Sequence, residues 1–235
     1  MLKVSEVFGP TFQGEGVSLG RRAAFIRLGR CNLACSWCDT PYTWDWSGQN
    51  GTAYDPAQEL YDGDAEQLTE QIASMDVPLV VITGGEPMSQ QRSLIPLLAM
   101  LTHEDRHEIE IETNGTIVPM DEFDAYVTRY NVSPKLANSN QPESNRIKPE
   151  ALRALNGTGK ATFKFVVTSP DDIEEIERVL AVGDIEPSKV WIMGEGRSAD
   201  DIDGHAQSVV VDVLEQGWNI TTRLHVLLWG DARGV

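Results

Sequence analysis

Residues 31–40, CNLACSWCDT, carry all three cysteines of the chain, spaced C-x3-C-x2-C as Cys31, Cys35 and Cys38. Three thiols within eight residues form a soft ligand set for a metal or cluster. A structural zinc site wants four ligands, and the local tally stops at three. His103, His107, His205 and His225 are all distant in sequence, so zinc requires the fold to bring one of them in. A nucleophilic or redox thiol has no use for two companions at fixed spacing. An odd count also argues against a disulfide framework. An iron–sulfur cube has four corners, so three thiolates hold three irons and leave the fourth open to a ligand. Electron carriers normally fill all four corners, whereas an open corner beside a cavity points to catalysis.

These residues need a scaffold, and the flanking segments predict one. Strand-like runs at 23–29, 78–83, 108–113, 129–134, 161–167, 189–194 and 221–229 alternate with helix-like ones at 65–75, 89–103, 149–155, 169–182 and 199–217, with a short helix at 121–127. Such βα alternation implies a parallel sheet with right-handed crossovers. Six to seven strands are too few for a closed eight-fold barrel, so the expected fold is α/β, a partial (open) βα TIM-like barrel in one domain over residues 1–235. The polar stretch ANSNQPESN (137–145) reads as a mobile loop. In this architecture chemistry gathers at the C-terminal ends of the strands. The cysteine segment, TGGEP (83–87), ETNGT (112–116), SPK (133–135) and MGEG (193–196) all fall there, with Lys164 and His225 inside strands, which predicts one shared cavity.

Nineteen basic residues against thirty-six acidic ones give a net charge of −17. Little basic surface remains for phosphate contacts, which excludes nucleic acid as the expected partner and favours a small-molecule substrate. The acidic clusters read as solvated helical faces. The N-terminus has no apolar signal segment, and no run approaches the roughly 18 residues of a membrane span. The expectation is a cytoplasmic protein without membrane contact, in a compartment where thiols stay reduced.

C-x3-C-x2-C after the first strand and GGEP after the second resemble the radical S-adenosylmethionine superfamily. FGPTFQGEG, FIRLGRCNLACSWCDT, ETNGT, VSPK, KFVV and RLHVLLWG resemble, more closely, the 7-carboxy-7-deazaguanine synthases, from about residue 5 to the C-terminus. That resemblance implies a lyase converting 6-carboxy-5,6,7,8-tetrahydropterin to 7-carboxy-7-deazaguanine with loss of ammonia, in queuosine-type 7-deazapurine synthesis. It implies a [4Fe–4S] cluster on Cys31, Cys35 and Cys38, S-adenosylmethionine as cofactor, Mg²⁺ at Thr40, a flavodoxin-like electron donor and a homodimer. S-adenosylmethionine contacts would come from Ser36, Trp37, Cys38, Asp39, Gly85, Glu86, Ser133, Pro134 and Lys135. Substrate contacts would come from Phe12, Gln13, Gly14, Glu15, Arg27, Thr83, His225 and Val235.

Each residue also admits a plainer role. Asp39 and Thr40 could cap a helix. Arg27, alternating with Phe25 in an apolar strand, needs an anion, either a local carboxylate or the substrate's. Gly84 and Gly85 could merely make a tight turn, and Glu86 could cap the next helix. Residues 12–14 could form a flexible turn, Asn114 a turn, and His225 a core contact; Lys164 could snorkel out of its strand. Trp44 and Trp46 could shield a cluster or pack in a core. Gly194, where related sequences lead us to expect proline, would loosen the backbone. Arg21, Arg22 and Arg30 flank the cluster strand and could dock an acidic electron donor. A glycyl-radical-enzyme activase would share the cysteine spacing but has no use for FQGEG or Arg27; a zinc or electron-transfer module would need neither cavity nor open corner.

Overall fold

The apolar runs fold as strands because their β-branched and aromatic residues meet cover on the faces they present. The structure is a computed structural model and describes residues 1–235, apart from the side chain of Asp105. One sheet of nine strands runs through it: β1 (Leu2–Phe12), β2 (Arg22–Leu28), β3 (Tyr61–Gly63), β4 (Leu79–Gly84), β5 (Glu108–Thr113), β6 (Arg129–Val132), β7 (Ala161–Val167), β8 (Val190–Gly194) and β9 (Asn219–Ile220). The spatial order is β3-β1-β2-β4-β5-β6-β7-β8-β9. From β2 to β9 all pairings are parallel, while β1 lies antiparallel between β2 and β3. The sheet stays open, with β3 and β9 as its edges, so the expected partial barrel is what forms.

Helices α2 (Ala65–Ala73), α3 (Gln91–Leu101), α4 (Asp121–Asp124), α6 (Pro149–Gly157), α7 (Asp172–Gly183) and α8 (Ala199–Glu215) make the outer layer, while the short α1 (Pro56–Glu59), α5 (Glu143–Arg146) and α9 (Leu224–Trp229) give no residue to the main core. Successive strand residues point to opposite faces. Val80 and Ile82, Ile109 and Ile111, Tyr130 and Val132, and Phe163 and Phe165 join Leu94, Leu97, Leu98, Leu152, Leu155 and Ile176 of the helices in the main core. The alternate residues Thr83, Glu112, Asn131, Ser133 and Lys164 line the concave face. The barrel interior is therefore polar at its C-terminal rim, with a small apolar floor of Phe8, Ala23, Phe25, Leu79 and Val81.

Four expectations are corrected. The run at 221–229 is no strand: only Asn219–Ile220 pair with β8, and Leu224–Trp229 form α9. Its unbroken apolar stretch, Val226 to Trp229, is too short to show the period that separates helix from strand. β1 and β3 bring the count to nine; β1 hides because its register slips twice, breaking the alternation. The predicted mobile loop is pinned: α5 forms within it, and Ser139 is fully buried. Asp172 and Glu175 leave the solvated face to do the pinning. Asp172 accepts from Asn138 Nδ2 (3.0 Å), and Glu175 accepts from the Ala137 amide (2.7 Å) and pairs with buried Arg146 (2.5 Å).

Candidate active site

A cavity of about 350 Å³ opens at the C-terminal rim of the sheet and is lined by Cys31, Cys35 and Cys38. All three are free thiols. Their loop is fixed at both ends by backbone bonds. The Arg30 amide donates to Thr43 O (2.6 Å), and the Gly85 and Glu86 amides donate to Leu28 O (2.9 Å) and Arg30 O (2.8 Å). A Cβ on Gly85 would stand 1.8 Å from Arg30 O, so glycine is what lets the TGGEP turn lie against the loop. The far side is held by the segment after β6: Gln141 exchanges two bonds with the Ala34 backbone, the Ser36 amide donates to Ser139 O, and Trp37 Nε1 donates to Asn138 Oδ1.

The thiols suit a cluster better than one ion. Around a single zinc, thiolates at about 2.3 Å would stand about 3.8 Å apart. Among the described residues, no three side chains of His, Cys, Asp or Glu converge closely enough to share one ion. Three soft thiols facing one cavity are a donor set that suits an iron–sulfur cluster. N–H donors already face two of the sulfurs: Trp44 Nε1 lies 3.3 Å from Cys38 Sγ, and the Leu33 amide 3.5 Å from Cys31 Sγ. Such bonds stabilise thiolate ligands and tune a cluster. Burial pushes the Cys31 thiol up to about 12 and raises Cys35 and Cys38 as well, so without a metal's charge all three stay protonated.

Opposite the thiols lies a polar wall. Gln13 Nε2 donates to Glu110 Oε1 (2.6 Å) and Glu112 Oε1 (3.0 Å), and Thr83 Oγ1 donates to Glu112 Oε2 (2.6 Å). Glu15 accepts from Lys164 Nζ and from Arg223 Nε (3.0 Å); Arg223 also bonds Asp39 and donates to Gly196 O (2.8 Å). Burial pushes the Glu15 carboxyl up, but Lys164 and then Arg223 hold it well below the usual carboxylate range. Arg27 Nε donates to Glu6 Oε1 (2.7 Å), while among the described residues its two Nη nitrogens meet no acceptor. Arg27 thus has a local carboxylate and two donors to spare at the cavity wall. His225 lies beside Gly14, where a Cβ would come within 2.1 Å of Nδ1; burial lowers its pKa and favours neutral imidazole.

Most of the predicted residues share this cavity: Phe12, Gln13, Gly14, Glu15, Arg27, the three cysteines, Trp37, Asp39, Thr40, Thr83, Gly85, Ser133, Lys135, His225 and Val235. Three do not line it. Glu86 is fully buried and spent internally, accepting from the Met88 and Asn114 amides and from Thr113 Oγ1. Ser36 is exposed and accepts from Asn140 Nδ2. Pro134 is buried away from the cavity between two residues that line it.

The plainer roles divide the same way. The Thr40 hydroxyl makes no helix cap and lies 3.7 Å from Cys38 Sγ, and Asp39 pairs with Arg223. Lys164 faces the cavity rather than snorkelling, and residues 12–14 are held by backbone bonds from Gln13 to Arg21 and Gly20. Asn114 serves the turn, its carboxamide bonding Thr116 and Asn32, and also lines the cavity. Trp44 lines the cavity; Trp46 does not. Gly194 does not loosen the chain, because a Cβ there would stand 2.1 Å from Ile202 O and glycine lets α8 close on β8. Of the three arginines expected near the cluster, only Arg30 adjoins the cysteine loop, where it is exposed. Arg21 and Arg22 sit at the start of β2, about 20 Å along the strand from the cysteine loop, and Arg21 is taken by Glu108 (2.7 and 2.8 Å).

Sequence reasoning missed Glu112, Asn131, Glu6 and Arg223 as wall and support residues. EIEIET did carry the signal for Glu112, since its isoleucines face the helices and its glutamates must face inward. Arg223 sat in a segment misread as strand.

The sequence pattern of the Radical SAM superfamily matches residues 25–169. A 7-carboxy-7-deazaguanine synthase of Pyrobaculum aerophilum is 35 % identical over 233 residues, covering 99 % of this chain and 97 % of that protein. The enzyme of that name from Bacillus subtilis is 28 % identical, covering 100 % of this chain and 98 % of its own length. Among solved structures, QueE from Escherichia coli superposes with a TM-score of 0.69 at 26 % identity, over 95 % of this chain and 94 % of that one.

Proposed function

The chain belongs to the radical S-adenosylmethionine superfamily and, within it, to the 7-carboxy-7-deazaguanine synthases, and on that premise we propose how its own residues serve the reaction. The activity is that of a lyase in 7-deazapurine synthesis. The observation that carries the residue assignment is the placing of three free thiols and the spare Arg27 donors on one cavity.

Cys31, Cys35 and Cys38 hold a [4Fe–4S] cluster, and Trp37, Asp39, Gly85, Ser133 and Lys135 border the adjoining volume for S-adenosylmethionine. When bound, the pair supplies a carbon-centred radical that removes hydrogen from the substrate. The chain's residues bind and orient that substrate, 6-carboxy-5,6,7,8-tetrahydropterin. The Nη donors of Arg27 take its carboxylate in charge-assisted bonds. Glu112, its oxygens fixed by Gln13 and Thr83, accepts from the amino-pyrimidine N–H edge. Neutral His225 offers one N–H and one acceptor nitrogen to the ring. Tyr42, Trp44 and Tyr54 wall the cavity and exclude water. The Thr40 hydroxyl is a hard oxygen donor beside the cysteine loop and is the residue here for a Mg²⁺ that gathers the substrate carboxylate.

The reductant is a protein of flavodoxin type. The chain works as a homodimer, for which the exposed Val210, Val211, Leu214 and Ile220 supply an apolar face. The site of action is the cytoplasm; among the described residues no helix is long and apolar enough to cross a membrane.

Anaerobic reconstitution with iron and sulfide, followed by incubation with S-adenosylmethionine, Mg²⁺, dithionite and carboxytetrahydropterin, tests this function. Formation of 7-carboxy-7-deazaguanine with release of ammonia is expected, and Arg27→Met should weaken it at limiting substrate by about 10- to 100-fold. Cleavage of S-adenosylmethionine without any deazapurine would refute the substrate assignment.

A further inference from the structure

Asn131, at the middle of β6, faces the concave side of the sheet and lines the cavity, yet its side chain is only 2 % exposed. Neither its Nδ2 nor its Oδ1 finds a hydrogen-bond partner. Gly16 closes over the amide from the loop after β1, where a Cβ would stand 2.8 Å from Nδ2. A buried amide left unpaired on both ends is a net penalty, and a leucine of similar shape would avoid it. Its neighbours on the flanking strands are paired: Glu112 is bonded to Gln13 and Thr83, and Lys164 to Glu15. The unpaired amide therefore needs a partner that enters the cavity.

The register says which part of a ligand it meets. Asn131 pairs with Glu112 across β5 and β6, and neighbouring strands stand about 4.8 Å apart. A carboxylate and a carboxamide side by side on that spacing read adjacent edges of a fused ring. The carboxylate accepts from an amino and a ring N–H, while the carboxamide donates to a carbonyl and accepts from the next N–H. In a tetrahydropterin the amino-pyrimidine edge suits Glu112, and the next edge presents the C4 carbonyl and N5–H. We infer that Asn131 is a specificity residue that pairs through Nδ2 with the pterin carbonyl and through Oδ1 with N5–H, so that the site selects the reduced ring over the aromatic one. This rests on the substrate reading given above.

The test is equilibrium binding by anaerobic calorimetry to the cluster-loaded protein without S-adenosylmethionine or reductant, so that no turnover occurs. The probes are 6-carboxytetrahydropterin and aromatic 6-carboxypterin, whose N5 carries no hydrogen. The wild type is expected to bind the reduced pterin about ten-fold more tightly than the aromatic one, the worth of one net hydrogen bond to a buried acceptor. Asn131→Leu is expected to lose about 10- to 100-fold for the reduced pterin and to bind both forms alike. Its melting temperature should not fall, because the unpaired amide is gone. Asn131→Asp, which keeps the shape and the acceptor but lacks the donor, is the second arm and should lose affinity for both pterins. Unchanged binding and unchanged preference in either variant overturn the inference and leave the amide a structural feature. A wild type that binds neither pterin overturns the substrate reading itself, and the inference with it.

Discussion

Removing the Glu15 carboxylate should destabilise the fold more than any single cavity-wall change short of a backbone clash. Glu15 is buried between Lys164 and Arg223, with Arg223 Nε 3.0 Å from Oε1. At an effective dielectric near 20, a pair of unit charges at that distance has a gross attraction of about 5 kcal/mol, most of which offsets desolvation. Taking away one partner of a buried pair leaves an uncompensated charge, at about 3–5 kcal/mol. Asp39 remains on Arg223, so Lys164 is the orphan and the lower end, about 3 kcal/mol, applies to Glu15→Gln. Urea unfolding at neutral pH measures it; urea avoids the screening that guanidinium brings. Lys164→Met added to Glu15→Gln should restore about 2 kcal/mol, a coupling expected of groups in direct contact. The sign with pH also follows. The carboxyl is held below its ordinary value in the folded state, so its contribution is full above that value and is lost as the pH falls below it. The gap between wild type and Glu15→Gln should therefore narrow from about pH 5 downward. Additive single and double variants, together with a gap that ignores pH, would refute the ion-network reasoning.

Three other outcomes are expected. Gly85→Ala puts a methyl into the Arg30 carbonyl, which should destabilise by about 3 kcal/mol and lower the iron bound after reconstitution, measured by metal analysis of the purified variant. Arg27→Gln removes the charge-assisted donors and should raise KM for the carboxytetrahydropterin by about 10- to 100-fold, with little change for S-adenosylmethionine. Burial lowers the His225 pKa, so its unfolded form takes up a proton first. Its contribution to stability is flat above about pH 6.5 and is lost below, a slope that thermal melts of His225→Gln should lack.

The sequence revealed this site to the extent that periodicity and spacing encode it. The parallel strands from 23 to 194 and the rim position of the cysteines, TGGEP and SPK were legible because alternation and turn residues are local signals. The antiparallel β1 was not, since its register slips interrupt the alternation. Asp172 and Glu175 looked like solvent-facing acids, and only the return of residues 135–141 onto α7 makes them buried anchors. Glu86 looked like a cofactor contact because nothing local shows that Thr113 and Asn114 have already occupied it. Arg27 was legible as a cation needing an anion; that Glu6 satisfies only one of its nitrogens is a fact of three dimensions.

The most direct test lies at the open corner of the cluster. Electron–nuclear double resonance on the anaerobic, reduced protein, with ¹⁵N and ¹⁷O in the amino acid end of S-adenosylmethionine, reads what occupies the iron that the proposed ligands Cys31, Cys35 and Cys38 would leave free. Coupling to both labels is the predicted result. A fourth protein ligand on that iron, or a preparation in which these cysteines bind no cluster, would contradict the account.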